Sequence, residues 1–239
     1  MQQRLPLPLA LTVPKVEGQR NEDSFQCSRK GAYALSDGAS VSFDSASWSR
    51  ILVRRFAQRP AFTTEWLSEA IADFSKLYDR ETLPWMQQAA FDKGSFASLL
   101  GVQVLDQGRL IQVLAIGDSL AVLVDGDRIK ASFPYTVASQ FDQRPQLLCT
   151  NPAENKFLEE IDYNYEISAD WTFRGIENPG LLCVTDALGQ WLLSWSNPER
   201  SAISILRSLR TPKAFSRFVQ AERSSGRMKR DDTTLLAVW

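Results

Sequence analysis

The segment from residue 94 to residue 131 most constrains the fold, because it consists almost entirely of apolar runs of strand length separated by short turns. Three such runs follow one another: SFASLLGVQVLD, RLIQVLAIGD and SLAVLVDGDRI. Asp125-Gly126 is a strong hairpin signal, and Asp106-Gln107-Gly108 is a weaker one. Hairpin turns join antiparallel neighbours, so the segment predicts an antiparallel meander.

Helical periodicity dominates much of the remaining chain. Ser42 or Asp44 is expected to cap a helix that runs to about Ala57. A longer helical stretch is predicted from about Thr64 to Ala90, with a kink or break at Pro84. Further helices are predicted at 187–195, 198–209 and 212–224, and further strands at 31–37, in TVAS or QLLCT between 136 and 150, around 165–171, at 181–185 and at 233–239. Helices and β runs without regular alternation indicate an α+β fold, in which helices pack on antiparallel sheets.

The chain contains no histidine, and this absence removes several kinds of active site. It excludes Ser-His-Asp and Cys-His nucleophiles, His-ligated zinc and imidazole acid–base catalysis. Carboxylates would therefore hold any metal, which favours Mg²⁺ or Mn²⁺. The 27 basic and 28 acidic residues leave a net charge of −1, so no global positive field favours nucleic acid or an anionic membrane surface.

The composition is typical of one globular domain, and we expect residues 1–239 to form a single domain. Cys27, Cys149 and Cys183 show no CxxC spacing and are predicted to be buried thiols in a reducing compartment. No run approaches the ~20 apolar residues of a membrane span, and prolines interrupt the apolar start of the sequence. The expectation is a cytoplasmic, monomeric protein without a signal peptide.

Acidic residues recur where the predicted strands begin or end. They occur in Asn21-Glu22-Asp23, Asp37-Gly38, Gly117-Asp118, Thr185-Asp186 and Asp231-Asp232. Carboxylates at strand ends can point into a shared crevice, where an adjacent glycine lets the backbone approach a ligand. Together they would form an oxygen-rich pocket for two divalent cations. Each aspartate alone is more typical of a turn, and Asp125 and Asp127, at a hairpin tip, are assigned no chemistry.

These segments, in this order, resemble the metal-dependent serine/threonine phosphatases of the protein phosphatase 2C type, in their compact bacterial form. The matching motifs are NED at 21–23, SDGAS at 36–40, GSFASLL at 94–100, AIGDSLAVL at 115–123, LLCVTDALGQWLL at 181–193 and DDTTLLAV at 231–238. They extend over nearly the whole chain from about Glu17. The resemblance implies a sandwich of two antiparallel sheets flanked by helices, with a dinuclear Mn or Mg centre at one end.

The resemblance also implies roles for the first two acidic segments. Asp37 would bridge the two metals, and the carbonyl oxygen of Gly38 would bind one of them. Glu22 matches a ligand that is reached through or beside one metal. Asp23 would be its neighbour, either as a ligand or immediately behind the ligands.

The later acidic segments would complete the ligand set. Asp186 and Asp231 match the aspartates that hold the other metal. Asp118, together with the Asp186 position, matches a weaker third metal site of many bacterial members. Asp232 stands where the family often has an asparagine.

A cation is also expected near the substrate phosphate. The family places an arginine a few residues before the acidic pair; here Arg20 directly precedes Asn21, whereas Lys15 lies further upstream in VPKVEG. The spacing leaves both open, with a slight preference for Lys15. The basic cluster Arg227, Lys229 and Arg230 is interpreted mainly as a solvated loop, or else as an attraction for a phosphopeptide.

The resemblance implies hydrolysis of phosphoserine and phosphothreonine on a phosphorylated protein, in a signalling role, by water activated between two cations and without a phospho-enzyme. Two alternatives stay open. One is a phosphatase-fold binding or regulatory module with little or no turnover, and the other is a hydrolase of a small phosphorylated metabolite.

Overall fold

The computed structural model describes residues 8–106, 109–159, 166–197 and 199–239. Strands β1 to β12 are Leu9–Val13, Ser24–Cys27, Ala32–Ser36, Phe96–Ala97, Leu99–Leu105, Leu110–Ile116, Leu120–Asp125, Arg128–Phe133, Leu148–Cys149, Ser168–Trp171, Pro179–Val184 and Thr233–Val238. Helices α1 to α6 are Ser45–Gln58, Thr64–Ser75, Trp85–Lys93, Asp186–Ser194, Ala202–Ser208 and Pro212–Ser224.

The strands form two five-stranded sheets, and all of their pairings are antiparallel. The first sheet has the order β1-β12-β11-β7-β8, and the second has the order β10-β6-β5-β3-β2. A short ladder joins β4 to β9. The predicted α+β fold with two packed antiparallel sheets and flanking helices is confirmed.

Strand β7 illustrates why the central strands read as continuous apolar runs. Leu120, Val122 and Val124 pack on the helix side of the first sheet, against α4, α5 and α6. Ala121 and Leu123 point the other way, into the layer between the two sheets. Successive side chains of a strand point to opposite faces, so a strand in the middle of this four-layer arrangement is apolar on both faces.

Helices α1 and α2 cover the outer face of the second sheet, where Trp48 and Trp66 are buried. Asp44 caps α1 as predicted, since its side chain accepts a hydrogen bond from the Ser47 amide at 3.1 Å. The predicted break also occurs: α2 ends at Ser75, and Pro84 directly precedes α3. Both local signals therefore position helices correctly.

The predicted meander is correct in its strands but wrong in its connectivity. Strands β5 and β6 pair in the second sheet, whereas β7 and β8 pair in the first. Gly117 and Asp118 lie in the turn by which the chain crosses between the sheets. The φ angle of Gly117 is +103°, and a Cβ there would lie 2.6 Å from the Ser98 Cβ, so this crossing depends on glycine.

Other sequence expectations also change. Strand β1 is not among the strands that the sequence predicts; Pro8 and Pro14 flank it. Of the two places predicted for one strand, QLLCT contains it, as β9, whereas TVAS contributes to a 3₁₀ helix at Ala138–Asp142. Cys149 and Cys183 are buried, whereas Cys27 is only half-buried. The predicted turn at 107–108 and the start of the strand predicted around 165 lie outside the described residues. Within the described ranges, no helix is both long and apolar enough to cross a membrane.

Gly101 in β5 provides a test of the packing between α1 and the second sheet. A Cβ at this position would lie 2.3 Å from Cζ of Phe56, whose ring is buried. We expect Gly101→Ala to lower the free energy of unfolding by ~1–3 kcal/mol through overpacking, as measured by urea denaturation. Gln103→Ala on the same strand is the control and should cost less. The double variant Gly101→Ala/Phe56→Leu should show favourable coupling; additive losses would contradict this packing.

Candidate functional site

Strand pairing brings the acidic segments to one end of the sandwich. The start of β2 pairs with the end of β3 through Ser24 and Ser36. In the other sheet, the end of β11 pairs with the start of β7 on one side and with β12 on the other. Antiparallel neighbours place the end of one strand beside the start of the next, so the residues flanking these strands meet: Glu22, Asp23, Asp37, Asp118, Asp186, Asp231 and Asp232.

Asp37 lies within the electrostatic field of four other aspartates. Ser98 fixes its backbone, because the Asp37 amide donates to Ser98 Oγ at 2.9 Å and the Ser98 amide donates to the Asp37 carbonyl at 2.8 Å. Burial raises the pKa of Asp37 well above its usual range, and the charges of its acidic neighbours raise it further. These neighbours are Asp23, Asp186, Asp118 and Asp231. The structure thus brings together most of the predicted ligands.

Gly38 follows Asp37 directly after β3. A Cβ on Gly38 would lie 2.8 Å from the Ser45 Cβ and 3.0 Å from the Glu22 carbonyl oxygen. The Glu22 carboxylate accepts a hydrogen bond from Ser45 Oγ at 2.6 Å. Close contact of the two segments therefore requires glycine at position 38 and places Glu22 against the start of α1.

Asp23 has one buried carboxylate oxygen with no hydrogen-bond partner. Its Oδ2 accepts from Thr234 Oγ1 at 2.6 Å and from Thr185 Oγ1 at 3.2 Å, whereas Oδ1 is buried without a partner among the described residues. Burial raises the pKa of Asp23 well above its usual range, against the effect of the Thr234 hydrogen bond. A buried oxygen of this kind needs either a proton or a cation.

Asp118 lies in the turn that crosses between the sheets. Burial and the charge of Asp186 raise the pKa of Asp118 to about 7, although the nearby Lys229 ammonium lowers it. Asp118 therefore faces the same acidic environment as Asp37.

Two lysines partly neutralise this end of the molecule. Lys229 Nζ lies 2.7 Å from Oδ2 of Asp186 and 3.7 Å from Oδ2 of Asp231. Lys15 Nζ lies 3.2 Å from the other oxygen of Asp231, Oδ1. Burial opposes the charge on Lys229, but the hydrogen bond and charge of Asp186 raise the pKa of the ammonium above its usual value.

Asp232 connects two loops through its carboxylate. Its Oδ1 accepts from the Lys15 amide at 2.5 Å, and its Oδ2 accepts from the Glu22 amide at 2.6 Å. Arg223 reinforces the same place by donating to the carbonyl oxygen of Asp231 and to that of Pro14. The segment after β1 and the segment before β2 are thereby fixed to the start of β12.

Arg20 lies apart from the acidic cluster. Its guanidinium pairs with Asp44 at 3.0 Å and donates to Ser47 Oγ at 3.1 Å, both at the start of α1. Of the two proposed phosphate contacts, Lys15 contacts a predicted ligand, whereas Arg20 contacts the helix cap.

The donor chemistry of the cluster fits a hard divalent ion. All candidate side-chain donors are carboxylate oxygens, and these are the ligands that Mg²⁺ and Mn²⁺ prefer. One of these oxygens is buried and unpartnered among the described residues, and the pKa values of Asp23, Asp37 and Asp118 are raised. Among the residues that the structure describes, no three acidic or cysteine side chains converge tightly enough to hold an ion as they stand. Asp186 and Asp231 are instead paired with lysine ammoniums.

The roles of Lys229 and Asp232 are not evident from the sequence. The sequence predicts a mainly solvated loop at Lys229, yet its ammonium pairs with two predicted metal ligands. Its position two residues before Asp231 was the available signal. Asp232 was placed by its motif, but nothing in the sequence showed that its carboxylate binds two backbone amides.

Comparisons with known proteins agree with this architecture. No protein-family sequence model matches the chain, and no curated protein sequence matches it. Among solved structures, the chain is similar to the PPM Ser-Thr phosphatase MsPP from Mycobacterium smegmatis in complex with cacodylate, at 16% identity and a TM-score of 0.56 over 98% of both chains. It is also similar to the photosystem II phosphatase PBCP, at 15% identity and 0.56 over 96% of both.

A third similar structure is the catalytic domain of the serine/threonine protein phosphatase PstP in complex with two manganese ions, at 14% identity and a TM-score of 0.57 over 96% of both chains. Likeness over nearly the whole length of each chain defines the fold: it is that of the metal-dependent serine/threonine phosphatases of the protein phosphatase 2C type. The resemblance seen in the sequence motifs is confirmed at this level.

The raised carboxyl pKa values predict how stability depends on pH when no metal is present. Between 3.8 and about 7, Asp118 keeps a proton in the folded state that it loses in the unfolded chain, so the free energy of unfolding falls as the pH rises through this window. We expect the chelator-treated protein to lose on the order of a few kcal/mol there, since one pKa unit corresponds to ~1.4 kcal/mol. Urea unfolding at a series of pH values measures this.

The matched variants are Asp118→Asn and Asp127→Asn. The first removes one of the carboxyl groups with a raised pKa and should reduce the slope of the pH profile, whereas the second alters an exposed hairpin residue and should preserve it. Stability that rises with pH through the window, in the parent protein, would contradict the assigned repulsion.

Proposed function

We propose that the chain is a metal-dependent phosphatase that hydrolyses phosphoserine and phosphothreonine on proteins at a dinuclear Mn or Mg centre. The observation that supports this most is the meeting of Asp23, Asp37, Asp118, Asp186 and Asp231 at one end of a phosphatase-type sandwich. These residues come from five separate segments of the chain, and turn geometry alone gives no reason for five buried or half-buried carboxylates to share one place.

The proposed ligands divide between the two sheets. Asp37 and the Gly38 carbonyl, after β3, would bind one side of the centre, with Glu22 beside them. Asp186 and Asp231, at the ends of β11 and β12, would bind the other side. Two divalent ions bound there would supply a water of lowered pKa and positive charge for the phosphoryl oxygens.

Residues near the centre have complementary tasks. Asp118 faces Asp186, and these two residues would together bind a third metal more weakly. Lys15, held beside Asp231, is suited to orient the substrate phosphate by its charge; Arg20 could do so only by leaving Asp44. With no histidine in the chain, the leaving group takes its proton from water. We further propose that residues 1–239 act as one domain, as a monomer in the cytoplasm.

A second candidate function is a phosphatase-fold binding or regulatory module. One observation favours it: lysine ammoniums, rather than open space, lie against Asp186 and Asp231. Such a module would bind a phosphorylated partner without hydrolysing it. Turnover distinguishes the two candidates.

Asp37→Asn tests the central ligand. We expect the parent protein to hydrolyse an aryl phosphate in the presence of Mn²⁺ and to stop on addition of a chelator. Loss of the bridging carboxylate should lower kcat/KM by at least ~10²-fold, as removal of a central electrostatic group does, while Asp127→Asn stays near the parent value. Metal-loaded parent protein without turnover on any phosphopeptide would favour the binding module.

Lys15→Ala and Arg20→Ala, compared side by side, test which cation contacts phosphate. The variant that loses the true contact should raise KM by on the order of tenfold at saturating Mn²⁺, corresponding to ~1.4 kcal/mol. Because Arg20 is bound to the cap of α1, we expect the larger effect for Lys15. Equal KM values in both variants and the parent would contradict both assignments.

A further inference from the structure

Lys229 is the residue near the acidic cluster whose contacts the proposed mechanism does not use. Its ammonium lies between two carboxylates of the same side of the centre, 2.7 Å from Asp186 Oδ2 and 3.7 Å from Asp231 Oδ2. Asp186 and Asp231 come from different strand ends, β11 and β12. The lysine thus spans the two groups that we propose as ligands of one metal.

The segment that precedes Lys229 is fixed, so this contact does not depend on a side chain in a loose loop. Met228 is buried in the core beneath the first sheet, and its amide donates to the Glu222 carbonyl at 3.2 Å. The Arg227 guanidinium forms two hydrogen bonds with the Glu222 carboxylate, at 2.7 and 2.8 Å. The turn after α6 therefore directs Lys229 toward the cluster.

The charges around the ammonium are predominantly negative. Asp186, Asp231 and Asp118 face it, and the side chains of Asp186 and Asp231 are only 11% and 24% exposed. Lys15 is the other cation at Asp231, but it contacts Oδ1 and does not span to Asp186. Lys229 consequently neutralises two carboxylates that are largely shielded from solvent.

We propose that Lys229 is a tethered cation that occupies the Asp186–Asp231 side of the centre when no metal is bound and that a divalent ion must displace. The proposal rests on the ligand assignment of the proposed function. Two cations on one pair of carboxylates repel each other, and each carboxylate gives up its ion pair to bind the metal. Lys229 therefore weakens metal binding on this side and stabilises the metal-free protein.

Calorimetric titration of the full chain with Mn²⁺ tests the proposal. In Lys229→Gln, which keeps a long polar side chain but no charge, we expect Mn²⁺ to bind about tenfold or more tightly, equivalent to ~1.4 kcal/mol or more. Lys229→Arg retains the charge and should bind Mn²⁺ nearly as the parent does. Lys130→Gln, an exposed lysine on β8, is the matched control and should match the parent.

Thermal unfolding of the same proteins gives a readout independent of turnover. Chelator-treated Lys229→Gln should melt at a lower temperature than the parent, because Asp186 and Asp231 lose their shared counter-charge, and it should gain more from Mn²⁺. A variant that folds only with Mn²⁺ supports the proposal in the same way. A variant that stays unfolded even with Mn²⁺ overturns it, because the lysine would then be needed with the metal present.

The outcomes also separate this proposal from the proposed function. Unchanged or weaker Mn²⁺ binding in Lys229→Gln, with turnover retained in the parent, overturns the role of Lys229 alone. If neither the parent nor Lys229→Gln binds Mn²⁺, both the dinuclear centre and the displacement are wrong. Tighter binding in Lys229→Gln without turnover supports the tethered cation and overturns only the phosphatase activity.

Discussion

Repulsion among carboxylates is the constraint on which the structure at this end of the sandwich depends. Asp37 alone is subject to four other aspartate charges, and burial removes the water that would screen them. The protein offsets this repulsion in different ways at different groups. Threonine hydroxyls donate to Asp23, lysines pair with Asp186 and Asp231, and backbone amides bind Asp232. The surrounding fold consists mainly of apolar groups, which do not repel one another, and it holds the carboxylates in place.

That fold contains three apolar layers. One lies between the two sheets, and the other two lie between each sheet and the helices that cover it. Burial of these layers stabilises the fold and offsets the repulsion among the carboxylates at the strand ends. The separation is spatial: central strands such as β7 and β11 are apolar on both faces, and the acidic residues of the cluster lie just beyond the strand ends. An acidic site can therefore vary in charge without disturbing the packing of the strands that position it.

Much of the fold and of the acidic cluster could be predicted from the sequence, because the signals lie within a few residues of the features they predict. Asp44 as a cap, Pro84 as a break and the strand ends at Asp37, Asp118 and Asp186 each have a signal within a few residues. The assignment of β6 and β7 to different sheets has no such signal, because pairing is decided by packing between distant segments. The partner of Lys229 is likewise decided by the turn after α6, since a charge in a loop is compatible with many neighbours.

The first sheet places β12 between β1 and β11, although β12 follows both of them in the chain. During vectorial synthesis, the amino-terminal strand and β11 must therefore wait without their shared neighbour until Thr233–Val238 has emerged. Asp231 and Asp232 lie immediately before this strand, so the acidic end of the sandwich is completed only when these residues have emerged. A nascent or truncated chain without these residues would lack the strand that joins β1 to β11 and two of the acidic groups, so the acidic cluster would be incomplete before the fold is finished.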